Sequence, residues 1–113
     1  MTLQKTIKEF GKTLAGLPVS VFHYTRPKKV TNRYAVWQED GGTNSFNADN
    51  SEAEHTVSGS LDYYTKVEFD AAVDEIQRTL TEVEGCSWEL TDVKYEEETE
   101  MIHFSWSWEL CYG

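Results

Sequence analysis

A strict alternation of apolar and polar residues near the end of the chain constrains the fold more than any other feature. Apolar residues occupy every second position: Ile102, Phe104, Trp106, Trp108 and Leu110. The positions between them are polar: His103, Ser105, Ser107 and Glu109. Because successive side chains of a strand point to opposite faces, this period predicts a strand with one face on a core and the other in solvent. We therefore expect His103 to face solvent.

The preceding segment, Cys86–Glu96, is predicted to pair with this strand as a hairpin. The apolar positions change parity between Leu90 and Val93, which predicts a β-bulge near Thr91 and Asp92. The bulge decides how the two cysteines of the chain are placed, because one extra residue shifts the register by one position.

With the bulge, Cys86 is expected opposite Leu110, so that Cys86 and Cys111 face different sides. Two cysteines in a cytoplasmic chain do not form a disulfide framework, and we expect free thiols.

The beginning of the chain has the period of an amphipathic helix. The helix is predicted over residues 2–15, with Thr2 as its cap and Gly16 followed by Pro18 at its end. Its apolar stripe consists of Leu3, Ile7, Phe10 and Leu14. On the opposite side Lys5, Lys8 and Lys12 fall within about one sixth of the circumference, because each residue turns a helix by about 100°. They form a basic ridge.

A second helix is predicted over residues 66–83. Thr65 and Glu68 have the spacing of a capping box, and Tyr64 and Phe69 that of a hydrophobic staple. The stripe that follows consists of Phe69, Val73, Ile76, Leu80 and Val83. The outer surface is expected to carry acids: Asp70, Asp74, Glu75 and Glu82.

Between the helices, Val19–Tyr24 and Tyr34–Glu39 are predicted strands, and a β-hairpin through the basic loop around Pro27 is the economical arrangement. Asp40–Glu54 is rich in Gly and Asn and is predicted to be a long, mobile loop. His55–Lys66 alternates as a third strand. The fold class is therefore α+β, one domain over residues 1–113 with a mainly antiparallel sheet of about five strands, two helices packed on it, and the order α-β-β-β-α-β-β.

Charge is distributed unevenly along the chain. Seven of the ten Lys and Arg residues lie in the first 33 positions beside one acid, Glu9, and the remaining 80 residues hold nineteen of the twenty acids. Two surfaces of opposite sign suit head-to-tail docking on a copy or on a partner. Alternatively, the two charges meet inside one fold. The overall net charge of −10 argues against reading or wrapping DNA, because Lys and Arg supply most affinity for phosphates.

No catalytic or metal-binding constellation is visible, and we expect neither an enzyme nor a cofactor. His23, His55 and His103 are scattered, without the spacing of zinc ligands. The acid run at residues 96–100 is interpreted as a charged hairpin tip that resists aggregation. The sequence contains no apolar run of signal-peptide or membrane-span length, which predicts a soluble protein made in a cytoplasm.

Several segments, in their order, resemble one protein family. They are Tyr34-Ala35-Val36-Trp37, Asn44 to Asn50, Tyr64-Thr65-Lys66 with Phe69-Asp70, Trp88 with Tyr95-Glu96-Glu97-Glu98, and Ile102 to Trp106. Together they resemble the tail terminators of long-tailed bacteriophages, also called tail completion or head-tail joining proteins. The resemblance covers residues 3–110. Arg33 stands where a Pro would be expected before Tyr34, and the basic loop is longer than usual.

The resemblance implies a structural phage protein without catalysis, located in the tail or neck of the virion and made in the bacterial host cytoplasm. It implies a homo-hexameric ring, assembled from monomers, that caps the completed tail tube and joins it to the head-tail connector protein. DNA would only pass through the bore, which we expect surplus acid to line. No membrane is involved. The alternatives are another neck or head-closure protein and an acidic inhibitor that mimics DNA.

Two sets of residues are candidates for contacts. Self-association is assigned to the basic ridge or basic loop of one copy and the acidic helix of the next: Lys5, Lys8, Lys12, Arg26, Lys28, Lys29, Arg33, Asp70, Asp74, Glu75 and Glu82. Contact with the tail-tube protein is assigned to the central loop: Asn44, Ser45, Phe46, Asn47, Asp49 and Asn50.

Overall fold

A computed structural model describes residues 1–29, 32–44 and 55–113 of the chain. Within these residues it has two helices and five strands in the order α-β-β-β-α-β-β. The elements are α1 (Leu3–Ala15), β1 (Ser20–His23), β2 (Arg33–Asn44), β3 (His55–Thr65), α2 (Ala71–Glu82), β4 (Cys86–Glu96) and β5 (Met101–Tyr112). The strands form one sheet in the order β1-β2-β3-β5-β4. The α+β class and the order of elements predicted from the sequence are confirmed.

The first two strands pair in parallel, so the expected β-hairpin is wrong. Ser20 lies opposite Tyr34, and His23 lies opposite Trp37. Tyr24 has a left-handed backbone (φ 72°), and the chain then returns along β1 before β2 begins. Local composition predicts that both segments are strands, but their relative direction depends on where the connection runs. The other three pairings are antiparallel.

The second strand is longer than expected and takes up part of the predicted loop. It continues to Asn44, with a register shift between Glu39 and Gly41. Gly42 pairs with Val57, and a Cβ atom at Gly42 would lie 2.9 Å from the Thr56 carbonyl oxygen. These glycines therefore serve a bulged strand in close contact with its neighbour. The rest of the predicted mobile loop, including Ser45, Phe46, Asn47, Asp49 and Asn50, lies outside the described residues.

The carboxyl-terminal hairpin has the predicted register. Its ladder shifts between Leu90 and Asp92, and beyond the shift Cys86 lies opposite Leu110. Cys86 and Cys111 are free. The expected bulge and its effect on the register are confirmed.

Both helices pack on one face of the sheet. The first helix inserts Ile7, Phe10 and Leu14 into the core, and the Phe10 ring lies 4.7 Å from that of Trp108. The second contributes Ala72, Ile76 and Leu80 to the same core. A smaller cluster on the other, helix-free face contains Tyr34, Val36 and Met101.

The second helix begins later than predicted, and the capping box is not formed. Asp70 is the N-cap, and its side chain accepts a hydrogen bond from the Ala72 N–H at 2.9 Å. Thr65 still belongs to β3, where it pairs with Ile102. Phe69 is 93% exposed at a φ of 57°, so it belongs neither to a staple nor to the apolar stripe. An Asp directly before two alanines is the stronger cap, since both Asp and Ala favour those positions.

Candidate functional site

The first helix carries its basic ridge on the surface, as predicted. Thr2 accepts a hydrogen bond from the Lys5 N–H at 3.2 Å, which fixes the start of α1. Lys5, Lys8 and Lys12 are exposed. Lys12 pairs with Glu9 at 3.5 Å, one turn earlier. The helix contacts β1, the first edge strand of the sheet.

The basic loop is partly anchored to the helix-free face. Arg26 donates a hydrogen bond to the Tyr34 hydroxyl at 3.0 Å, and its guanidinium lies 5.2 Å from the centre of the Tyr64 ring. Such a cation–π contact holds the loop on the sheet. Lys28 and Lys29 are exposed. The loop therefore presents two lysines to solvent from a fixed base.

Asp70 is buried, so the expectation that it belongs to the acidic outer surface is wrong. Its carboxylate accepts hydrogen bonds from the Tyr63 hydroxyl at 2.6 Å and the Thr65 hydroxyl at 2.8 Å. Nη1 of Arg33 lies 3.2 Å from Oδ1 of Asp70, and the two side chains form an ion pair. Burial of Asp70 opposes its charge, but the hydrogen bonds from Tyr63, Ala72 and Thr65 and the charge of Arg33 outweigh it and lower its pKa. Arg33 and Asp70 are thus engaged with each other inside the chain.

The remaining acids of the second helix stay near the surface. Asp74 and Glu82 are exposed, and Glu75 is half-buried beside Arg78, with which it forms an ion pair. The helix contacts β4, the other edge strand. A basic ridge therefore lies beside one edge of the sheet and an acidic helix beside the opposite edge.

The helix-free face forms a shallow polar groove of about 730 Å³. Its floor is rich in serine hydroxyls from adjacent strands: Ser58, Ser60, Ser105 and Ser107. Asp40, Asp62, Glu89 and Glu109 surround that floor, and among the described residues that line the groove none is basic. The sequence predicted polar residues at alternate positions, but the pairing of Ser60 with Ser107 depends on register between strands distant in sequence.

His103 is not solvent-facing, contrary to the prediction. Its side chain is 13% exposed, with Nε2 2.8 Å from an Asp62 oxygen and Nδ1 3.2 Å from a Glu96 oxygen. The Ser105 hydroxyl lies 3.1 Å from Nε2 and donates to Asp62 at 2.8 Å. Sequence reasoning missed this cluster because Asp62 is 41 positions away from His103.

This cluster does not have the geometry of a nucleophile and its base. Asp62 binds both His103 Nε2 and the Ser105 hydroxyl, so the imidazole nitrogen that would accept the serine proton already contacts a carboxylate. Among the described residues, no group of three or more His, Cys, Asp or Glu side chains could hold a metal ion. The arrangement instead joins β3, β4 and β5 through side-chain hydrogen bonds.

Comparison with known proteins gives structural neighbours only. No protein-family model matches the sequence, and no curated protein matches it. The structure is similar to a sheath/tube terminator of an extracellular contractile injection system, PVC, in its extended state, with a TM-score of 0.58 and 6% identity. All of this chain is covered, and it spans 57% of that terminator chain. The similarity is one of fold, and it extends over somewhat more than half of that terminator chain.

A second neighbour comes from the virion of a native gene transfer agent particle. The TM-score is 0.49 at 10% identity, with 89% of this chain and 81% of that chain covered. In the described part of the chain, neither helix has the length and apolar character required to cross a membrane.

Proposed function

We propose that this chain is a structural protein of a phage tail, which closes the end of the completed tail tube as a ring and joins it to the head connector. The observation that carries the proposal is the placement of opposite charges at opposite edges of one sheet, in a chain whose fold is similar to that of a sheath/tube terminator. A contact between two different patches repeats from copy to copy and generates a ring when the rotation closes. The family resemblance implies six copies.

In this ring, the basic ridge of one copy faces the acidic helix of the next. Lys5, Lys8 and Lys12 supply one side, and Asp74, Glu75 and Glu82 supply the other. Exposed ion pairs contribute only about 0–1 kcal/mol each, so this contact orients the copies. Apolar or strand-edge contacts must supply most of the affinity.

The helix-free face is the surface of the ring that lines the bore. Its carboxylates repel the phosphates of passing DNA, and its floor of serines offers small hydroxyl groups without a positive charge. The described lining of this groove contains no base, so the groove lacks the main source of nonspecific affinity for nucleic acid. DNA can therefore pass without being held.

The segment Asn44 to Asn50, which begins at the last residue of β2, is our candidate for contact with the tail-tube protein. Its Asn, Ser and Asp residues are typical of loops, which commonly carry recognition. Deleting it should abolish joining while the domain keeps its thermal stability, and intact joining by the shortened chain would contradict this assignment.

Electron microscopy of phage particles assembled without this protein tests the proposal. Tails of uncontrolled length indicate a terminator, whereas tails of normal length that stay unattached indicate a joining or other neck protein. Supplying the intact gene from a plasmid is the control and should restore complete particles. Complete particles in the absence of the protein would contradict a structural role in the tail.

The helix-free face also supports a second candidate, an acidic inhibitor that mimics DNA. Four carboxylates surround one face, as the phosphates of a nucleic acid would for a basic groove. Such an inhibitor would act as a monomer on a nuclease or repressor. The mass in solution, measured with and without isolated tail tubes, distinguishes the inhibitor from the tail protein. A chain that stays monomeric and does not bind tail tubes favours the inhibitor.

A further inference from the structure

We propose that a neighbouring copy of this chain docks its basic loop, Tyr24–Lys29, into an apolar groove beneath Phe69. This inference rests on the proposed ring and names the contact that gives the ring its affinity. It differs from the ridge contact, which supplies charge without apolar area.

The groove lies between β5 and the start of α2 with the turn that precedes it. It has a volume of about 380 Å³ and is lined on its apolar side by Phe69, Val73, Ile102 and Phe104. Val93 pairs with Phe104 and Tyr95 with Ile102, so the apolar surface continues onto the edge strand β4. Val93 and Tyr95 are 48% and 59% exposed. Contiguous apolar surface of this kind marks contact sites in soluble proteins.

Phe69 is held in a conformation that its side chain disfavours. It has a φ of 57° and is 93% exposed, so both its backbone and its ring are in unfavourable situations. The residues around it fix this turn: Thr65 accepts a hydrogen bond from the Val67 N–H at 3.0 Å, and Asp70 caps α2. Backbone strain that the surroundings enforce is concentrated at functional positions. The Phe69 side chain is therefore held in a fixed, exposed position where a partner can bind it.

Charge selects the occupant of the groove. Among its described lining residues Glu68 and Asp74 are exposed acids, Asp70 is already paired with Arg33, and none is a base. The Tyr24–Lys29 loop has the opposite character, because it contains no acid and presents Lys28 and Lys29 to solvent, while Arg26 anchors it to its own sheet. Its first residue, Tyr24, is 54% exposed and also has a left-handed φ, of 72°. The Tyr24 ring stacks on His23 and its hydroxyl donates to Glu39, so its position is fixed and the other side of the ring is exposed. A half-exposed aromatic ring with neighbouring lysines thus fits an apolar groove with an acidic rim.

The positions of the two surfaces allow a ring. The loop follows β1 at one edge of the sheet, and the groove continues onto β4 at the opposite edge. A copy can therefore offer its loop to one neighbour and its groove to the other, as a heterologous contact requires.

Disulfide cross-linking between engineered cysteines tests the contact. In a chain with Cys86→Ala and Cys111→Ala, Glu68→Cys at the rim of the groove together with Lys28→Cys should give a ladder of covalent oligomers on isolated tail tubes under mild oxidation, and this pair keeps the Phe69 ring in place. Either engineered cysteine alone is the matched control and should give no ladder. Lys8→Cys with Glu75→Cys reports the ridge contact in the same assembly.

The outcomes separate this inference from the proposed function. If micrographs show rings but the Glu68–Lys28 cysteine pair stays monomeric, the inference is wrong and the ring stands. If the chain without engineered cysteines forms no ring on tubes, the proposed function and the inference both fail.

Phe69→Gly gives an independent measurement. Glycine accepts a positive φ, so thermal stability should stay unchanged or rise, while association should weaken at least about tenfold, the loss typical of a buried aromatic anchor at an interface. Phe69→Tyr keeps the ring and should associate like the original chain. Undiminished association of the glycine variant would overturn the inference.

Discussion

Arg33 and Asp70 form an ion pair across 37 positions of sequence, with Nη1 of the arginine 3.2 Å from Oδ1 of the aspartate. One partner comes from the basic first third of the chain and the other from the acidic remainder. The opposite charges of the sequence therefore meet inside the fold at this point. The lysines of α1 and most acids of α2 stay near the surface. The two interpretations of the charge pattern, internal pairing and external docking, thus apply to different residues.

Asp70→Asn should destabilise the protein in a manner that depends on pH. Asparagine that caps the helix through its single amide oxygen turns its NH2 group, a donor, toward the Tyr63 and Thr65 hydroxyls, so it accepts from neither of them. It also removes the charge beside Arg33. We expect a loss of about 2 kcal/mol at pH 7. The measurement is urea unfolding across a pH series.

The sign of the pH dependence follows from the lowered pKa of Asp70 in the folded chain. The stabilisation that ionised Asp70 contributes is fully present above its unfolded pKa of about 4, and it is lost as the pH falls through the lower pKa of the folded chain. The free energies of unfolding of the original chain and of Asp70→Asn should therefore converge at acid pH. Asp74→Asn, at an exposed position, is the control and should change little. An equal difference at all pH values would show that the charge of Asp70 does not contribute.

Reversing the basic ridge should weaken association without unfolding the chain. Lys5→Glu, Lys8→Glu and Lys12→Glu together place like charges opposite the acidic helix of a neighbour. Sedimentation at low salt should show smaller species, and the difference should vanish near about 1 M salt, where charges are screened within about 3 Å.

Two matched variants make the ridge test specific. Replacing the three lysines by arginine keeps the charge and should leave sedimentation unchanged. Adding Asp74→Lys, Glu75→Lys and Glu82→Lys to the reversed chain should restore association. Unchanged sedimentation of the reversed chain alone would refute the ridge contact.

The sequence pattern correctly predicted those elements that are determined by residues close to each other in the chain. The period of residues 102–110 and the parity change before Val93 specify the β4–β5 hairpin and its bulge, because both depend on neighbours within one hairpin. The direction of β1 against β2 depends on the path of the connection after Tyr24, which no period encodes. The wrong start of α2 has a similar cause, since Thr65 is needed in the sheet and in the Asp70 cluster.

The sequence indicated which kinds of residues the candidate site would contain, but not how the fold arranges them. The sequence indicated the lysines of α1 and the acids of α2, but not that they lie beside opposite edges of the sheet. His103 was assigned to solvent because it is a polar position in a strand that alternates with period two, yet Asp62 and Glu96 from adjacent strands cover it. Phe69 was assigned to the core by its spacing, although the Asp70 cap turns it outward.

Gly59→Ala should destabilise the sheet strongly. A Cβ atom there would lie 2.0 Å from the Gln38 carbonyl oxygen and 2.3 Å from the Trp108 ring, so a buried strand or ring must move. Overpacking of this kind costs about 3 kcal/mol, which thermal unfolding would detect. Gly41→Ala is the control, because its Cβ would meet only the Ser58 hydroxyl oxygen at 3.3 Å. Equal melting temperatures for the two variants would contradict the packing described here.

His103→Ala should lower the free energy of unfolding by about 1–2 kcal/mol, because the partly buried carboxylates of Asp62 and Glu96 lose the imidazole that lies within hydrogen-bond distance of both. Urea unfolding measures the change. His103→Gln can still donate to one carboxylate and should lose less. If both variants unfold like the original chain, the cluster does not stabilise the join between β3, β4 and β5.

Placing lysines on the helix-free face should hinder DNA passage while leaving the ring intact. Ser60 and Ser107 lie opposite each other in the sheet, so Ser60→Lys with Ser107→Lys puts two cations on the groove floor. Cations near phosphates create the nonspecific affinity that the original surface lacks. Particles carrying this variant should assemble normally but release DNA more slowly and give a lower titre. Ser60→Gln with Ser107→Gln matches the size of the change without its charge and should behave like the original. Normal DNA release by the lysine variant, with rings present in micrographs, would show that this face does not line the bore.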